Sequence, residues 1–305
     1  MARYETVDGI LLLNKPAGLT SNQALQRVKR LFRAKKAGHT GSLDPAATGM
    51  LPLCFGEATK VCAFLLDADK SYRVTARLGS RTDTGDATGA EIDTAAVPEL
   101  DAEQWRDILD GFLGDSLQVP PMYSALKKGG KRLYEMARKG ETVEREPRPI
   151  RIYAIDLMES RGKRLVFRVH CSKGTYVRSL VEDIAAKAGT VAHTASLHRE
   201  TVGEFDAADM LDMGSLEADA EAGKDVLHDH LLPPDAALGA FPALELNAAN
   251  AAKFTAGQEI SMSAQGPVGF VRVYGEARQF CGVGELTEAG ALAPKRVFHS
   301  AEKNS

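Results

Sequence analysis

The sequence predicts a protein of mixed helices and strands, with one large domain followed by a small β-rich module. Through the first 200 residues, segments with apolar residues at helical spacing are interspersed with segments in which apolar and polar residues alternate. An Ala/Asp/Glu-rich stretch then dilutes this pattern and ends near Pro233-Pro234. We therefore predict domains at 1–240 and 241–305, because glycines separate short apolar runs in the second part, as in small β structures.

The elements of the first domain follow from periodicity and from turn residues. Thr20 and Ser21 precede apolar residues at helical spacing, which predicts a capped helix over 20–32. The other predicted helices are 58–66, 101–113 and 176–188, and the predicted strands are 9–13, 72–78, 150–158, 164–171 and 191–199. Between them, 38–52 is predicted as turns, because it shows no apolar periodicity. The basic, glycine-containing segment 120–140, which begins with two prolines, is predicted to project from the domain.

Composition indicates an ordinary globular protein and excludes several classes. The 305 residues are 44% hydrophobic and 26% charged, and no apolar run is long enough to span a bilayer. The polar start lacks the apolar region of a signal peptide, so we expect a cytoplasmic protein. The four cysteines form no C-x-x-C pair, so we predict neither a zinc site nor a disulfide framework.

Charge is distributed unevenly along the chain, although the net charge is only −3. Residues 1–40 carry eight Lys or Arg against two Asp or Glu, and residues 121–180 carry fifteen against six. Residues 200–245 carry one against twelve. Local basic faces attract polyanions whatever the overall charge, so nucleic acid is a possible partner. By itself this pattern equally describes solvated surfaces.

The most unusual segment is 38–52, which surrounds Asp44 with a histidine, hydroxyl groups, glycines and prolines. Proline fixes the backbone and glycine permits conformations that other residues resist, so this loop has a defined shape. A carboxylate held in such a loop suits a nucleophile or a general base. The alternative is an Asp-Pro turn whose side chain caps its own backbone.

Other candidate residues are weaker when judged alone. Arg178 is a candidate partner for Asp44, because a neighbouring guanidinium keeps a desolvated carboxylate ionised. The spacing of the two residues in the sequence does not show that they meet, and the alternative is an arginine on a helix surface. Tyr72 lies on an alternating strand, where aromatic residues usually belong to the core. The segment 81–86 lacks the ligand register of a calcium loop, and no glycine-rich phosphate loop occurs. We therefore predict neither a metal nor a cofactor.

Taken together, the motifs resemble the TruB family of tRNA pseudouridine synthases. The matching stretches, in the family's order, are GILLLNKPAGLTSNQ (9–23), GHTGSLDPAATGMLP (38–52), DKSYRV with RTDTGDATG (69–89), PPMYSALKKGGKRLYEMARKG (120–140), CSKGTYVRSL (171–180) and TASLHRETVGEF (194–205). The resemblance implies an α+β fold. Its catalytic domain has an extended, mixed and mostly antiparallel sheet flanked by helices and carries an RNA-gripping insertion at about 120–150, and a small PUA-like RNA-binding module follows.

The resemblance also implies roles for particular residues. Three residues are expected to be catalytic: Asp44 matches the catalytic aspartate, Tyr72 the tyrosine that also stacks on the target base, and Arg178 the arginine paired with the aspartate. The residues expected to bind the target nucleotide are His39, Tyr176 and Leu197. Lys15 is counted with these substrate-binding residues, as part of a lysine-proline pair beneath the active site.

The expected activity is isomerisation of uridine 55 in the T-arm loop of tRNA to pseudouridine, with base flipping and without a cofactor. The expected partner is the T-arm stem-loop, bound by a monomer. Three alternatives stay open: a glycosidase or nucleosidase that pairs Asp44 with Asp83 or Asp86, a non-catalytic RNA-binding protein, and a synthase that modifies other uridines or is guided by RNA.

Overall fold

The computed structural model describes residues 4–262 and 268–299, which form one large sheet, one smaller sheet and two short hairpins. The strands, in chain order, are Gly9–Lys15 (β1), Ala37–His39 (β2), Thr48–Phe55 (β3), Lys70–Leu78 (β4), Ser80–Thr82 (β5), Glu91–Thr94 (β6), Gly114–Gln118 (β7), Lys127–Lys128 (β8), Lys131–Arg132 (β9), Arg148–Arg161 (β10), Arg164–Cys171 (β11), Ala192–Val202 (β12), Leu211–Asp212 (β13), Ala243–Glu245 (β14), Ile260–Ser261 (β15), Gly269–Tyr274 (β16), Phe280–Leu286 (β17) and Ala291–Val297 (β18).

The α-helices of the described ranges are short. They are Ser21–Leu31 (α1), Cys62–Asp67 (α2), Ala102–Asp110 (α3), Leu133–Ala137 (α4), Val177–Lys187 (α5), Met213–Ala222 (α6), Lys224–His228 (α7) and Ala248–Thr255 (α8). Helix α1 begins as the sequence predicts, because Thr20 and Gln23 form a capping box in which each side chain accepts from the other's backbone N–H. None of the helices described here is long and apolar enough to cross a membrane.

The large sheet is mixed and mostly antiparallel, which confirms the expected fold class. Its strands lie in the order β13-β1-β3-β12-β4-β11-β10-β7, with β2 paired to β3. Among the described pairs of this sheet, only β1 with β13 and β3 with β12 run parallel. Helices α3 and α5 cover one face of the central strands, where Trp105, Leu109, Leu180 and Ile184 join the buried residues of β4 and β11. The sheet therefore brings β4, β12 and α5 together.

The prediction of turns throughout 38–52 is wrong at both ends of that segment. Its first residues belong to β2, and its last residues open β3. Strand β3 is paired to β1 on one side and to β12 on the other, and its residues from Gly49 to Phe55 are all buried. A strand that is buried on both faces shows no alternation of apolar and polar residues, so periodicity did not reveal it.

The second sheet lies wholly within the predicted β-rich module. Its strand order is β14-β16-β17-β18-β15, and α8 packs on it through Phe254. Val283 and Phe298 also join a core with Ile10 and Leu12 of β1, so the two sheets share apolar contacts. The division at residue 240 stays a prediction, and residues 263–267 and 300–305 of the module lie outside the described part of the chain.

Gly49 makes the closest backbone approach between β3 and β12. Its φ is +98°, and a Cβ built on it would stand 2.2 Å from the carbonyl oxygen of Arg199. Gly162, in the turn between β10 and β11, also has a positive φ of +53°, but a Cβ there would meet nothing within 4 Å. An alanine at position 162 would therefore suffer backbone strain alone, whereas an alanine at position 49 would suffer backbone strain and a steric clash.

We expect Gly49→Ala to lower the free energy of unfolding by about 4 kcal/mol, because the strands must separate to admit the methyl group. Gly162→Ala, the matched control, should cost only about 1 to 2 kcal/mol, the cost of a left-handed conformation alone. Urea denaturation followed by circular dichroism measures both values. Equal losses in the two variants would contradict the close approach of β3 to β12.

Candidate active site

Asp44 lies in the loop that joins β2 to β3. Hydrogen bonds from the start of α1 and from the turn before it hold this loop in place. The backbone N–H of Gly18 donates to the carbonyl of Pro45 at 2.8 Å. Ser21 and Leu43 are bonded twice, since the Ser21 hydroxyl donates to the Leu43 carbonyl at 3.1 Å and accepts from its N–H at 2.8 Å. These contacts fix the backbone on both sides of Asp44.

Arg178, at the start of α5, forms an ion pair with Asp44. Its Nε lies 3.0 Å from Oδ2 of Asp44, and its side chain is only 7% exposed, against 46% for the aspartate. The two remaining guanidinium nitrogens donate to the carbonyls of Thr84 and Tyr123, each at 2.6 Å. Arg178 is therefore held on three sides and presents a fixed cation to a carboxylate that solvent reaches.

Two opposing effects set the ionisation of Asp44. Burial in the pocket walls raises the pKa of its carboxyl group above the ordinary value, and the Arg178 guanidinium lowers it again. The nearby charge of Asp86 raises this pKa, and that of Lys15 lowers it. The net direction is upward, so the cationic neighbours offset only part of the desolvation.

Tyr72 lies on β4, directly opposite Arg199 of β12. Its side chain is buried, and its phenol contacts the Arg199 guanidinium. Burial raises the pKa of this phenol, Arg199 lowers it, and the charge of Asp44 raises it further. Tyr72 is linked to the loop of Asp44 through Arg199, which stands opposite it in the sheet and donates to the carbonyl of Gly41 in that loop.

The other predicted site residues surround the same region. Leu197, on β12, lines a pocket together with Asp44 and Arg178. Tyr176 precedes α5, and its backbone N–H and carbonyl are both bonded to the Gln118 side chain, at 2.7 and 3.1 Å. His39 ends β2, and its Nδ1 is buried without a hydrogen-bond partner. Burial and then Arg199 lower the pKa of His39, which favours a neutral imidazole.

Lys15 lies beneath the loop rather than in the pocket. It is completely buried, and its Nζ donates to the carbonyls of Pro16 at 2.8 Å and Leu19 at 2.7 Å. Burial lowers its pKa to about 8, and the charge of Asp44 counteracts this shift. These contacts agree with a supporting position beneath the loop of Asp44, and the substrate-binding role of Lys15 stays a prediction.

Two further buried cations beside the site were missed in the sequence. Lys70, at the start of β4, donates to the carbonyls of Leu66 and Ala68, and burial lowers its pKa to about 8. Arg199 is only 1% exposed and donates to Met50 and Gly41. A signal for Arg199 was present, because alternation along a strand places it on the same face as Leu197, two residues earlier.

The carboxylates of Asp83 and Asp86 accept hydrogen bonds from residues of their own loop. Asp86 lines the pocket of Asp44, but its Oδ1 accepts hydrogen bonds from Thr88 N, at 2.9 Å, and from the hydroxyls of Thr84 and Thr88. Oδ1 of Asp83 accepts from the N–H of Ala90 at 2.9 Å. Among the residues that the structure describes, no group of His, Cys, Asp and Glu side chains could hold a metal ion.

The basic segments flank this site in different ways. The predicted projecting segment contains the β8–β9 hairpin and α4, and its Lys127, Lys128, Lys131 and Arg132 are exposed. The same segment reaches the site through the Tyr123 carbonyl that Arg178 contacts. On α1, Arg27 is paired with Glu217 of α6 at 2.6 Å, so this arginine is already partly neutralised.

Comparison with known proteins gives consistent matches along the chain. Residues 29–177 match the family described as TruB family pseudouridylate synthase (N terminal domain). Residues 178–239 match the tRNA pseudouridylate synthase B C-terminal domain, and residues 242–298 match Pseudouridine synthase II TruB, C-terminal.

Relatives and solved structures extend these matches to almost the whole chain. The tRNA pseudouridine synthase B of Dechloromonas aromatica (strain RCB) is 49% identical over 299 residues, which cover 98% of each chain. The protein of the same name from Nitrosococcus oceani is 48% identical over 97% of this chain and 96% of its own.

Similarity of fold reaches further than similarity of sequence. A chain in the crystal structure of a Cbf5-Nop10-Gar1 complex superposes with a TM-score of 0.74 at 22% identity, over 95% of this chain and 85% of its own. A chain from an H/ACA RNP bound to a substrate RNA containing 2'-deoxyuridine gives 0.75 at 22%, over 96% and 86%. With nearly half of its residues identical to those of the curated relatives over their full lengths, the chain belongs to the TruB family of pseudouridylate synthases.

Proposed function

We propose that this protein isomerises uridine 55 in the T-arm loop of tRNA to pseudouridine, with Asp44 as the nucleophile. The observation that carries the proposal is the Asp44–Arg178 ion pair at the edge of a pocket, with the loop of Asp44 fixed from below. We further propose that residues 1–240 carry the chemistry and that residues 241–305 form a second RNA-binding surface. Membership of the family supports the reaction type, and the names of the relatives support tRNA as substrate.

The reaction breaks the C1′–N1 bond of the nucleotide, turns the uracil and joins C5 to C1′; the proton on C5 is then lost and N1 takes up a proton. No group is transferred and no electron is gained or lost overall. An ionised carboxylate beside C1′ suffices to begin this exchange, and Arg178 favours the ionised form of Asp44. Two routes are compatible with the geometry: attack of Asp44 on C1′, or removal of a sugar proton to give a glycal.

The target base must leave its stack before Asp44 can reach the sugar. Base flipping costs about a few kcal/mol, and stacking on an aromatic ring such as Tyr72 returns about 1 to 3 kcal/mol per base. In the proposal Leu197 and Tyr176 line the flipped nucleotide, and neutral His39 helps to hold it. Closure of the pocket over the base then excludes water, which would otherwise hydrolyse the intermediate.

The RNA is proposed to be held through its phosphates and its shape. Arg30 lies in the last turn of α1, Arg33, Lys35 and Lys36 follow this helix, and all four are exposed. The lysines and the arginine of the β8–β9 hairpin are exposed as well. Contacts of this kind orient a stem without reading its bases. We propose a monomer that works on the T-arm stem-loop in the cytoplasm and needs no cofactor.

The three alternative functions can be told apart by experiment. A glycosidase would need a second free carboxylic acid, and the nearest candidates, Asp83 and Asp86, both accept hydrogen bonds from their own loop. A non-catalytic RNA-binding protein would be indifferent to the charge of Asp44. A synthase for other uridines, or one guided by RNA, would leave an isolated T-arm unmodified.

We expect Asp44→Asn to reduce pseudouridine formation in an unmodified T-arm stem-loop at least about a thousandfold, because the nucleophile is lost. The affinity for the RNA should stay close to that of the wild type, since binding rests on phosphate contacts elsewhere. Single-turnover conversion, measured by nucleoside analysis, and filter binding test the two statements.

Asp83→Asn is the matched control, because its carboxylate lies in a neighbouring turn and contacts Ala90. It should convert uridine at nearly the wild-type rate. Binding of RNA without conversion by the wild type would instead favour the non-catalytic alternative, and equal activity of Asp44→Asn and wild type would remove Asp44 from the mechanism.

We expect Arg178→Gln to move the acid limb of the rate profile to higher pH. Only ionised Asp44 is active, its pKa is already raised, and loss of the guanidinium removes the main influence that lowers this pKa. The single-turnover rate should therefore decline at a higher pH than in the wild type as acidity increases. Rates measured at saturating RNA between about pH 5 and 9 follow this limb.

Arg168→Gln serves as the control, since Arg168 is half exposed on β11 and paired with Glu200. Its profile should overlay that of the wild type. A downward shift of the acid limb in Arg178→Gln, or the same upward shift in both variants, would contradict the assigned electrostatic role.

A further inference from the structure

Within the described part of the chain, Arg199 is a buried cation that forms no ion pair with a carboxylate. It is the largest of the fully buried side chains there, and its guanidinium donates to backbone carbonyls. A guanidinium removed from water and left without a counter-ion is unfavourable for folding. Retention of such a group beside a candidate active site points to a role other than stability.

The guanidinium connects the start of the loop that carries Asp44 to strand β3, which follows the loop. Its Nε donates to the carbonyl of Met50 at 2.7 Å, and its Nη2 donates to the carbonyl of Gly41 at 2.8 Å. These residues lie on either side of Asp44 in the sequence. One rigid, planar side chain therefore holds together the backbone on both sides of Asp44.

The same residue reaches Tyr72 and Gly49 through its backbone and its side chain. In β12, Arg199 is in register with Tyr72 of β4 on one side and with Gly49 of β3 on the other. Residues paired across antiparallel strands place their side chains on the same face of the sheet, so the Arg199 side chain lies beside the Tyr72 ring. Strands β3 and β4 are therefore both paired to the strand of Arg199, whose guanidinium also bonds the loop of Asp44.

We propose that Arg199 is a positioning residue that fixes the distance between the Asp44 carboxylate and the Tyr72 ring. The inference rests on the proposed function, because it assumes that the nucleotide lies between these two groups. A lysine in its place keeps the charge but offers no planar set of donors, so it reaches the loop carbonyls or the phenol but not all of them. A glutamine keeps one amide donor group and loses the charge.

The test combines Arg199→Lys and Arg199→Gln with Tyr72→Phe, which keeps the ring and removes the phenol hydroxyl. We expect each Arg199 variant to lower the single-turnover rate on the T-arm stem-loop about a hundredfold, the loss that follows a displacement of about 1 Å in a positioned site. The affinity for the RNA should stay near that of the wild type. In the double variant Arg199→Lys/Tyr72→Phe the loss should be smaller than the product of the two single losses, because the two residues act together.

A spectroscopic readout separates positioning from a general loss of structure. The ¹³Cζ resonance of Tyr72, identified by its absence from Tyr72→Phe, should shift in Arg199→Lys and stay in place in the control Arg168→Lys. If wild-type protein converts no uridine, the proposed function fails, but this resonance still tests the contact between Arg199 and Tyr72.

Three results would overturn the proposal. Multiplicative losses of rate in the double variant would show that Arg199 does not act with Tyr72. An unmoved Tyr72 resonance in Arg199→Lys would remove the contact itself. Failure of both Arg199 variants to show a cooperative thermal transition would assign the residue to the stability of the fold.

Discussion

The geometry of the site depends on the closed loop between β2 and β3. Three independent contacts hold it: Ser21 bonds Leu43 from α1, Gly18 bonds Pro45 from the turn before it, and Arg199 bonds both ends from β12. A loop tied from two sides loses little further conformational entropy when substrate binds. The carboxylate it carries can therefore be oriented by protein contacts alone, before any RNA is present.

Burial of cations gives this region its electrostatic character. Lys15, Lys70 and Arg199 are enclosed and donate to backbone carbonyls, while Arg178 is paired with the partly exposed Asp44. Carbonyl oxygens satisfy the N–H groups of these cations without neutralising their charge. The surroundings of Asp44 therefore hold more positive than negative charge, an arrangement that suits an anionic polymer.

The sequence predicted correctly those helices and strands that depend on interactions between residues close together in the chain. Thr20 and Gln23 cap α1 as their spacing implies, and alternation identifies β4 around Tyr72. Strand β3 was missed because burial on both faces removes periodicity. The motifs identified Asp44 and Arg178 through family resemblance, but their meeting depends on strand order and on α5, which no local spacing encodes. The complete burial of Lys15 could not be predicted from its motif, because burial is a result of the tertiary structure.

The two buried lysines couple the protein's proton content to its folding. In the folded protein Lys15 and Lys70 each have a pKa of about 8, whereas an exposed lysine has 10.5. Between these values the unfolded chain binds more protons than the folded one, so each lysine takes up a proton as the chain unfolds. Their contribution to the free energy of unfolding consequently rises as pH increases from about 8 to 10.5. In this range the calorimetric enthalpy of unfolding depends on the ionisation heat of the buffer, because the buffer supplies the protons that the two lysines take up.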